Sequence, residues 1–379
     1  MNEQRVLIVA HRLESGGVAN AVNNFFLACS QYKPNIKFDI ICFMDYTEQV
    51  KDFYENYGAR IFQVKSPRMQ GMHSYQKNIR SIIQENGPYI AVHIHTAYFI
   101  WIVAKIAKEE NIPVRVGHAH GRKGSLPWFV KFWFEPIARI LNRKYCTHKL
   151  SCAELSGKYT FGQDFSFFPN IAIDTRLKNQ GDLSIEFPKD KLKLAYIGAI
   201  RYKQKNAGFI PKIVRATKDK NTILYVAGQE TPDVTKINKE LSVDGNKEKV
   251  VYLGYVDNVQ KLLKNIDIVV MPSYNEGMSL TLLEAQMAGV PCVVSKGVPK
   301  TNDLQMGLFF QVLTWKENDW HEAIVKADMK KENVLTEKER FSKLKEIKYD
   351  NESIAQRLIN IYTQQENRQN NDFSNNSRI

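Results

Sequence analysis

Residues 266–295 read IDIVVMPSYNEGMSLTLLEAQMAGVPCVVS, and the order of residue types within them points to one fold class. IDIVVMP is a near-continuous apolar run ended by Pro272, the composition of a strand covered on both faces. SYNEG is a turn. SLTLLEAQMAG spaces leucine and alanine at helical intervals and stops at Gly289, and PCVVS is apolar again. Strand, helix and strand in this order make a parallel βα unit.

The same rhythm runs through the rest of the chain. RVLIVA, KFDIICF, ARIFQV, YIAVHIHT and PVRVGH alternate with amphipathic stretches in the first half. KLKLAYIG, TILYVAG, KVVYLG, IDIVVMP and PCVVS do so in the second. Between the halves, after PNIAID, lies TRLKNQGDLSIEFPKDK, polar and turn-rich, the best candidate linker. The reading is α/β with two doubly wound, Rossmann-like domains facing a cleft, at 1–183 and 184–349. A helix at 350–366 is expected to pack back on the N-terminal domain, ahead of a disordered tail at 367–379.

A chain of 379 residues exceeds what one core serves, and 44% hydrophobic with 25% charged suits a globular protein. The 53 Lys and Arg outnumber the 40 Asp and Glu by 13, so acidic partners are attracted over distance. The lysines are spread along the chain and no nucleic-acid motif accompanies them, which argues against a nucleic-acid partner. The five cysteines are scattered and without a CxxC pair, the pattern of reduced core residues. The N-terminal apolar run is too short for a signal peptide, and no uncharged stretch reaches spanning length, so the expected location is cytoplasmic.

Ligands of open α/β sheets bind just beyond the carboxyl ends of the strands. After the first strand comes HRLESGGVANAVNNF, where Gly16 and Gly17 let a ligand approach the backbone at a helix start expected at Val18. After the strand IDIVVMP come Glu276 in the turn and Glu284 in the helix, and no lysine or arginine between Pro272 and Ser295 pairs with them. Orphan N–H groups around Ser279, a candidate N-cap, and Leu280 would hold a phosphate between two carboxylates that suit paired hydroxyls. A nucleotide-sugar fits that arrangement better than a bare nucleotide.

The segment from Met271 to Ser295 resembles the glutamate-seven residues-glutamate segment of retaining glycosyltransferases of family 4, which have the GT-B fold. The SGG at Ser15 to Gly17, GHAHG at 117–121, SCAELSGKYTFG, FFPNIAID, QKN at 204–206, VAGQE and LGYVDNVQKLLKNIDIVVMPS follow in that family's order. The resemblance covers almost the whole chain and is nearest the bacterial branch that builds capsular and exopolysaccharides.

It implies that Glu276 contacts the donor sugar, Glu284 the ribose, and the backbone near Ser279 and Leu280 the diphosphate, with Gly16 and Gly17 approaching it from the other domain. It implies that Lys205 neutralises the leaving diphosphate, that His118 lies over the donor sugar just after its strand, and that Gly228 of VAGQE belongs to the donor site. His120 competes with His118 for that role, and His93 reads as packing. Ile200 stands where the family carries an arginine; Arg201, one position late, and Lys203 are the candidate replacements. The implied activity is metal-independent, retaining hexosyl transfer by a front-face route, from a nucleotide-sugar with UDP as its carrier to a glycan or lipid-linked acceptor. No cofactor and no metal ligand are expected.

The stretch 121–149 mixes Trp128, Phe129, Phe132, Trp133 and Phe134 with basic residues, the composition of a helix lying on an anionic membrane at the inner face of the cell membrane. Packing in the core is the competing reading, and Pro136 would interrupt the helix. Alternatives for the whole chain are a nucleotide-sugar-binding partner protein and a GT-B epimerase without transferase activity.

Overall fold

The computed structural model describes residues 3–14, 16–96, 99–121, 128–171, 185–217, 221–256 and 258–365, with the backbone alone for 128–132. The expected linker lies mostly, and the expected tail wholly, outside the described residues. The chain divides into two compact units, Met1–Ile171 with Tyr349–Ile379, and Ala172–Lys348.

In chain order the first unit runs β1 (Gln4–Ala10), α1 (Gly17–Tyr32), β2 (Ile36–Cys42), α2 (Glu48–Glu55), β3 (Arg60–Gln63), α3 (Pro67–Asn86), β4 (Ala91–Ile94), α4 (Ile100–Glu109), β5 (Val114–Ala119), α5 (Trp128–Tyr145), β6 (His148–Ser151), α6 (Glu154–Phe161) and β7 (Ser166–Phe167). The second runs β8 (Leu192–Ile197), α7 (Ile210–Ala216), β9 (Thr222–Ala227), α8 (Asp233–Val243), β10 (Val250–Gly254), α9 (Val259–Leu263), β11 (Ile268–Met271), α10 (Leu280–Met287), β12 (Cys292–Ser295), β13 (Phe309–Val312), α11 (Glu317–Lys330) and α12 (Glu337–Glu346). The final helix, α13 (Asn351–Tyr362), returns to the first unit and packs on α1.

Each unit holds one parallel sheet, in the order β3-β2-β1-β4-β5-β6-β7 and β10-β9-β8-β11-β12-β13. Strand order reverses between β1 and β4 in the first and between β8 and β11 in the second, and the loops leaving these strands part to opposite faces, which opens a crevice there. The second sheet is covered twice. Leu194, Tyr196, Val226 and Val270 pack with Trp320 on one face, while Ala195, Tyr225, Val269 and Met271 pack with Leu282 on the other. That two-sided burial is why these strands read as unbroken apolar runs.

β6, β7 and β13 were not among the strands expected from sequence. They are short and lie toward the sheet edges, and β6 carries the polar pair His148 and Lys149. α5 runs through Pro136 unbroken, contrary to expectation, because the proline sits on its exposed side, where water can serve the carbonyl that loses its amide partner. All five cysteines are buried, and none of them forms a disulfide.

Candidate functional site

In the second unit the two loops at the strand-order reversal carry Arg201, Lys205, Glu276 and Ser279 of the expected site residues. The loop after β8 is shaped by its own backbone: Gly198 N–H donates to Ala227 O at 2.8 Å, Tyr196 Oη to Ala199 O at 3.0 Å, and Ala207 N–H to Arg201 O at 3.1 Å. Ile200 is fully buried in the core and Arg201 is exposed. An apolar side chain therefore fills the position at which the resemblance would seat an arginine. A Cβ on Gly228 would lie 2.0 Å from Gly198 O, so only glycine lets the end of β9 support this loop from behind.

The same loop delivers the countercharge that Glu276 lacks in its own segment. Lys205 Nζ stands 2.9 Å from Glu276 Oε1, with the two side chains 21% and 8% exposed. Oε1 makes no directed hydrogen bond among the described residues, so charge rather than bond alignment holds the pair. The loops are also tied through Tyr274 N–H to Gln204 O at 2.9 Å, while Glu276 N–H donates to Gly297 O at 3.0 Å.

Ser279 occupies the N-cap of α10, yet its side chain makes no capping bond. Its N–H donates instead to Asn302 Oδ1 at 2.6 Å, and Asn302 Nδ2 reaches Gly277 O at 2.9 Å and Pro299 O at 3.0 Å. The fully buried Asn302 thus holds the loop on both sides of Met278. The Ser279 amide is consequently occupied, and the donors that the helix cannot satisfy itself are those of Leu280 and Thr281. Glu284 is buried within α10.

In the first unit the loop after β1 ends at Gly16, the N-cap of α1, with φ 103°. A Cβ there, or at Gly17, would meet nothing within 4 Å, so the helix start is open on that side. α1 begins at Gly17 and not at Val18, and its first turn has no acidic residue.

Beside it, β4 and β5 bring four histidines together. His93 pairs with Val116 and Ile94 with Gly117 in parallel register, so that His93 and His95 lie alongside His118 and His120 on one face. Ring centroids stand 4.1 Å apart for His93 and His95 and 4.2 Å for His118 and His120. Phe25 of α1 stacks on His118 at 5.4 Å, and Phe168 meets it edge-on at 5.7 Å. His118 lies inside β5, not after it, and is buried; His120, just past the strand, is partly exposed.

His93 Nδ1 is 2.6 Å from Tyr362 Oη, His93 Nε2 is 3.1 Å from His118 Nδ1, and His95 Nδ1 is 2.8 Å from His120 Nε2. Burial pushes His93 down to about 3 and His120 to about 4, and holds His95 and His118 well below the ordinary histidine range. Neighbouring imidazoles add to the effect at His93, His95 and His118. The cluster is neutral at physiological pH. His93, His95 and His118 each bring a ring nitrogen within 4.8 Å of the other two, a grouping that could hold a metal ion. Both nitrogens of His93 are already engaged, so a metal would have to displace one of those bonds.

Asn302 and Tyr362 went unnoticed in the sequence, Asn302 as one more polar turn residue and Tyr362 as one apolar position of an amphipathic helix. Of the aromatic stretch, the side chains of Trp128, Phe129 and Phe132 lie outside the described residues. Trp133, Ile137 and Ile140 are exposed along α5. No helix among the described residues is long and apolar enough to cross a membrane.

Residues 191–327 match the family described as Glycosyl transferases group 1. A protein of Bacillus subtilis (strain 168) named as a glycosyltransferase, EpsF, is 27% identical over 95% of this chain and 97% of its own length. The Escherichia coli UDP-Gal:alpha-D-GlcNAc-diphosphoundecaprenol alpha-1,3-galactosyltransferase is 25% identical over 69% of this chain and 72% of its own. The crystal structure of Anabaena HepE in complex with UDP and glucose superimposes with a TM-score of 0.73 at 13% identity, covering 95% of this chain and 100% of that one. The chain is a glycosyltransferase of GT-B fold, which transfers a sugar from a nucleotide-sugar to an acceptor. It is related to the enzymes of capsule, O-antigen and exopolysaccharide biosynthesis.

Proposed function

We propose that the enzyme moves a hexose from a UDP-sugar to a glycan or lipid-linked saccharide in surface polysaccharide synthesis, with retention of configuration and without a metal ion. The observation that carries this reading is the Lys205–Glu276 pair at the strand-order reversal of the second sheet, in the loop that leads into α10, whose first amides have no carbonyl partner within the helix. UDP as the carrier and a lipid diphosphate as the acceptor anchor are supported by what the relatives' names state of those proteins.

In this reading the bond between the anomeric carbon and the diphosphate oxygen breaks, and the acceptor oxygen bonds to that carbon on the same face. The acceptor proton passes to the departing phosphate. Lys205 and the amides of Leu280 and Thr281 stabilise the charge that develops on the diphosphate. Glu276 accepts from hydroxyls of the donor sugar, Glu284 from the ribose, and His118 meets the sugar. Gly228 acts by supporting the Lys205 loop. The ammonium and the helix end supply the positive charge that a divalent ion would otherwise bring.

Transfer from UDP-sugars to an undecaprenyl-diphosphate saccharide, assayed with EDTA and followed by NMR of the product anomer, tests this. Undiminished transfer with the donor's own anomeric configuration is expected. Loss of transfer in EDTA with recovery on adding Mg²⁺, or an inverted product, would overturn the mechanism.

The exposed Trp133, Ile137 and Ile140, spaced along one side of α5 with Arg143 and Lys144 exposed near its end, support peripheral docking on an anionic membrane. Flotation with phosphatidylglycerol vesicles should carry the protein up, and Trp133→Ser with Ile137→Ser should leave it at the bottom. Equal flotation of both would remove the docking face.

A further inference from the structure

We propose that Tyr362, on the last helix, is a positioning residue for His118: through His93 it holds His118 in the tautomer that offers an Nε2–H donor to an oxygen of the bound donor sugar. The identity of that oxygen rests on the transfer reading above; the tautomer does not.

A single chain of buried contacts runs from Tyr362 through His93 to His118. Tyr362 Oη, His93 and His118 are joined at 2.6 and 3.1 Å, all three residues are buried, and the chain ends at His118 Nε2, which has no partner among the described residues. A neutral imidazole carries one N–H and one lone pair. If the phenol donates to His93 Nδ1, then His93 donates from Nε2 to His118 Nδ1, and His118 must carry its proton on Nε2. One donor is then left over, at the end of the chain.

If the chain ran the other way, His93 would donate to the phenol oxygen, His118 would donate from Nδ1, and the phenol hydrogen would be left without an acceptor among the described residues. His118 Nε2 would then be an orphan lone pair as well. Two unsatisfied buried groups cost more than one, so the first direction is the stable one. Burial supports it by keeping both imidazoles neutral.

The leftover Nε2–H is the group that an oxygen acceptor would satisfy. His118 is thereby a hydrogen-bond donor and not a base. Tyr362 reaches it from α13, the segment that returns to this unit after the whole second unit has been traversed. Phe25 and Phe168 fix the plane of the His118 ring, and Arg357 of the same α13 lies over Phe168 at 4.5 Å.

The test uses the full chain labelled with ¹⁵N-histidine. Two-bond ¹H–¹⁵N correlation spectra distinguish Nδ1–H from Nε2–H tautomers, and the His118→Gln spectrum assigns the His118 signals. The wild type is expected to show His93 and His118 as single Nε2–H tautomers, with the His118 Nε2 signal moving on addition of UDP-sugar and not with UDP alone. In Tyr362→Phe the His118 signals should become those of a tautomer mixture. There kcat should fall roughly tenfold, the scale of about 1.4 kcal/mol of lost hydrogen bonding, with UDP affinity unchanged. His93→Phe keeps a ring in place, cuts the chain and should give the same loss.

Tyr75→Phe removes another buried hydroxyl of the same unit, one without a partner among the described residues, and should change neither readout. An Nδ1–H tautomer at His118 in the wild type, or unchanged spectra and kcat in Tyr362→Phe, would overturn the proposal. So would a His118 signal indifferent to UDP-sugar while UDP-sugar binds, since water would then be the acceptor, or zinc found stoichiometrically on the cluster. A protein that binds no UDP-sugar at all would remove the functional reading, and the spectra would still decide the role of Tyr362.

Discussion

A carboxylate as buried as that of Glu276 needs a countercharge, and Lys205 supplies it at 2.9 Å from a loop that follows another strand. In the proposed reaction the pair separates its duties, the ammonium toward the diphosphate and the carboxylate toward the sugar. Glu276→Gln and Lys205→Ala should each lower kcat by roughly 10²–10³, the loss typical of removing one preorganised charge-stabilising group. Lys205→Ala should also lower stability, by about 3 kcal/mol, because it strands a buried carboxylate. Combining Lys205→Ala with Glu276→Gln should restore part of the melting temperature and none of the turnover. Full activity in either single variant would remove the site. Glu276, Glu284 and Lys205 were legible because their residue types conflict with a small, apolar, turn-forming context or follow a strand end. Asn302 was not legible: its three contacts, to Gly277, Ser279 and Pro299, exist only once the turn around it has closed.

At the scale of elements, two strands with a histidine at alternate positions, lying side by side in parallel register, build a buried cluster that neither could make alone. In the unfolded chain these histidines titrate near 6.5, whereas in the fold His93 is lowered to about 3 and His120 to about 4, with His95 and His118 also lowered. Between those values the unfolded chain binds protons that the folded one refuses. The stability is therefore full above pH 6.5 and declines as pH falls through the window toward 4. Each histidine contributes up to about 1.4 kcal/mol per pH unit.

Melting temperatures measured from pH 7 to 4.5 should drop on acidification, and His93→Phe should flatten the slope. A slope unchanged by that substitution would mean His93 titrates normally in the fold. The apolar strands β1, β2, β4, β5, β8, β9, β11 and β12 were readable because most of their residues are buried on both faces. β6, β7 and β13 were not, since short strands toward a sheet edge need neither a long apolar run nor regular alternation.

For the whole molecule, the chain builds its first unit from both ends, with Ile354, Leu358, Ile359, Ile361 and Tyr362 of α13 buried there. A fragment ending at Lys348 should therefore lose the cooperative melting of the first unit and expose the apolar face of α1. Residues 185–348, which contain the whole second sheet, should fold on their own. Circular dichroism melts of 1–348, 185–348 and 1–171 decide it, and a cooperative melt of 1–171 alone would show that α13 is dispensable.

The sequence by itself determined what local chemistry can determine: two runs of βα units, glycines at a helix start, and glutamates and a lysine just beyond strand ends. Those follow from apolar periodicity, backbone freedom and the cost of burying charge, each of which acts within a few residues of its cause. Only the tertiary structure decided that Lys205 answers Glu276, that Asn302 takes the Ser279 amide, that Ile200 fills the core while Arg201 faces water, and that Tyr362 reaches the histidines. Each of these joins residues distant along the chain, and such pairings depend on strand order and register, which no single segment encodes.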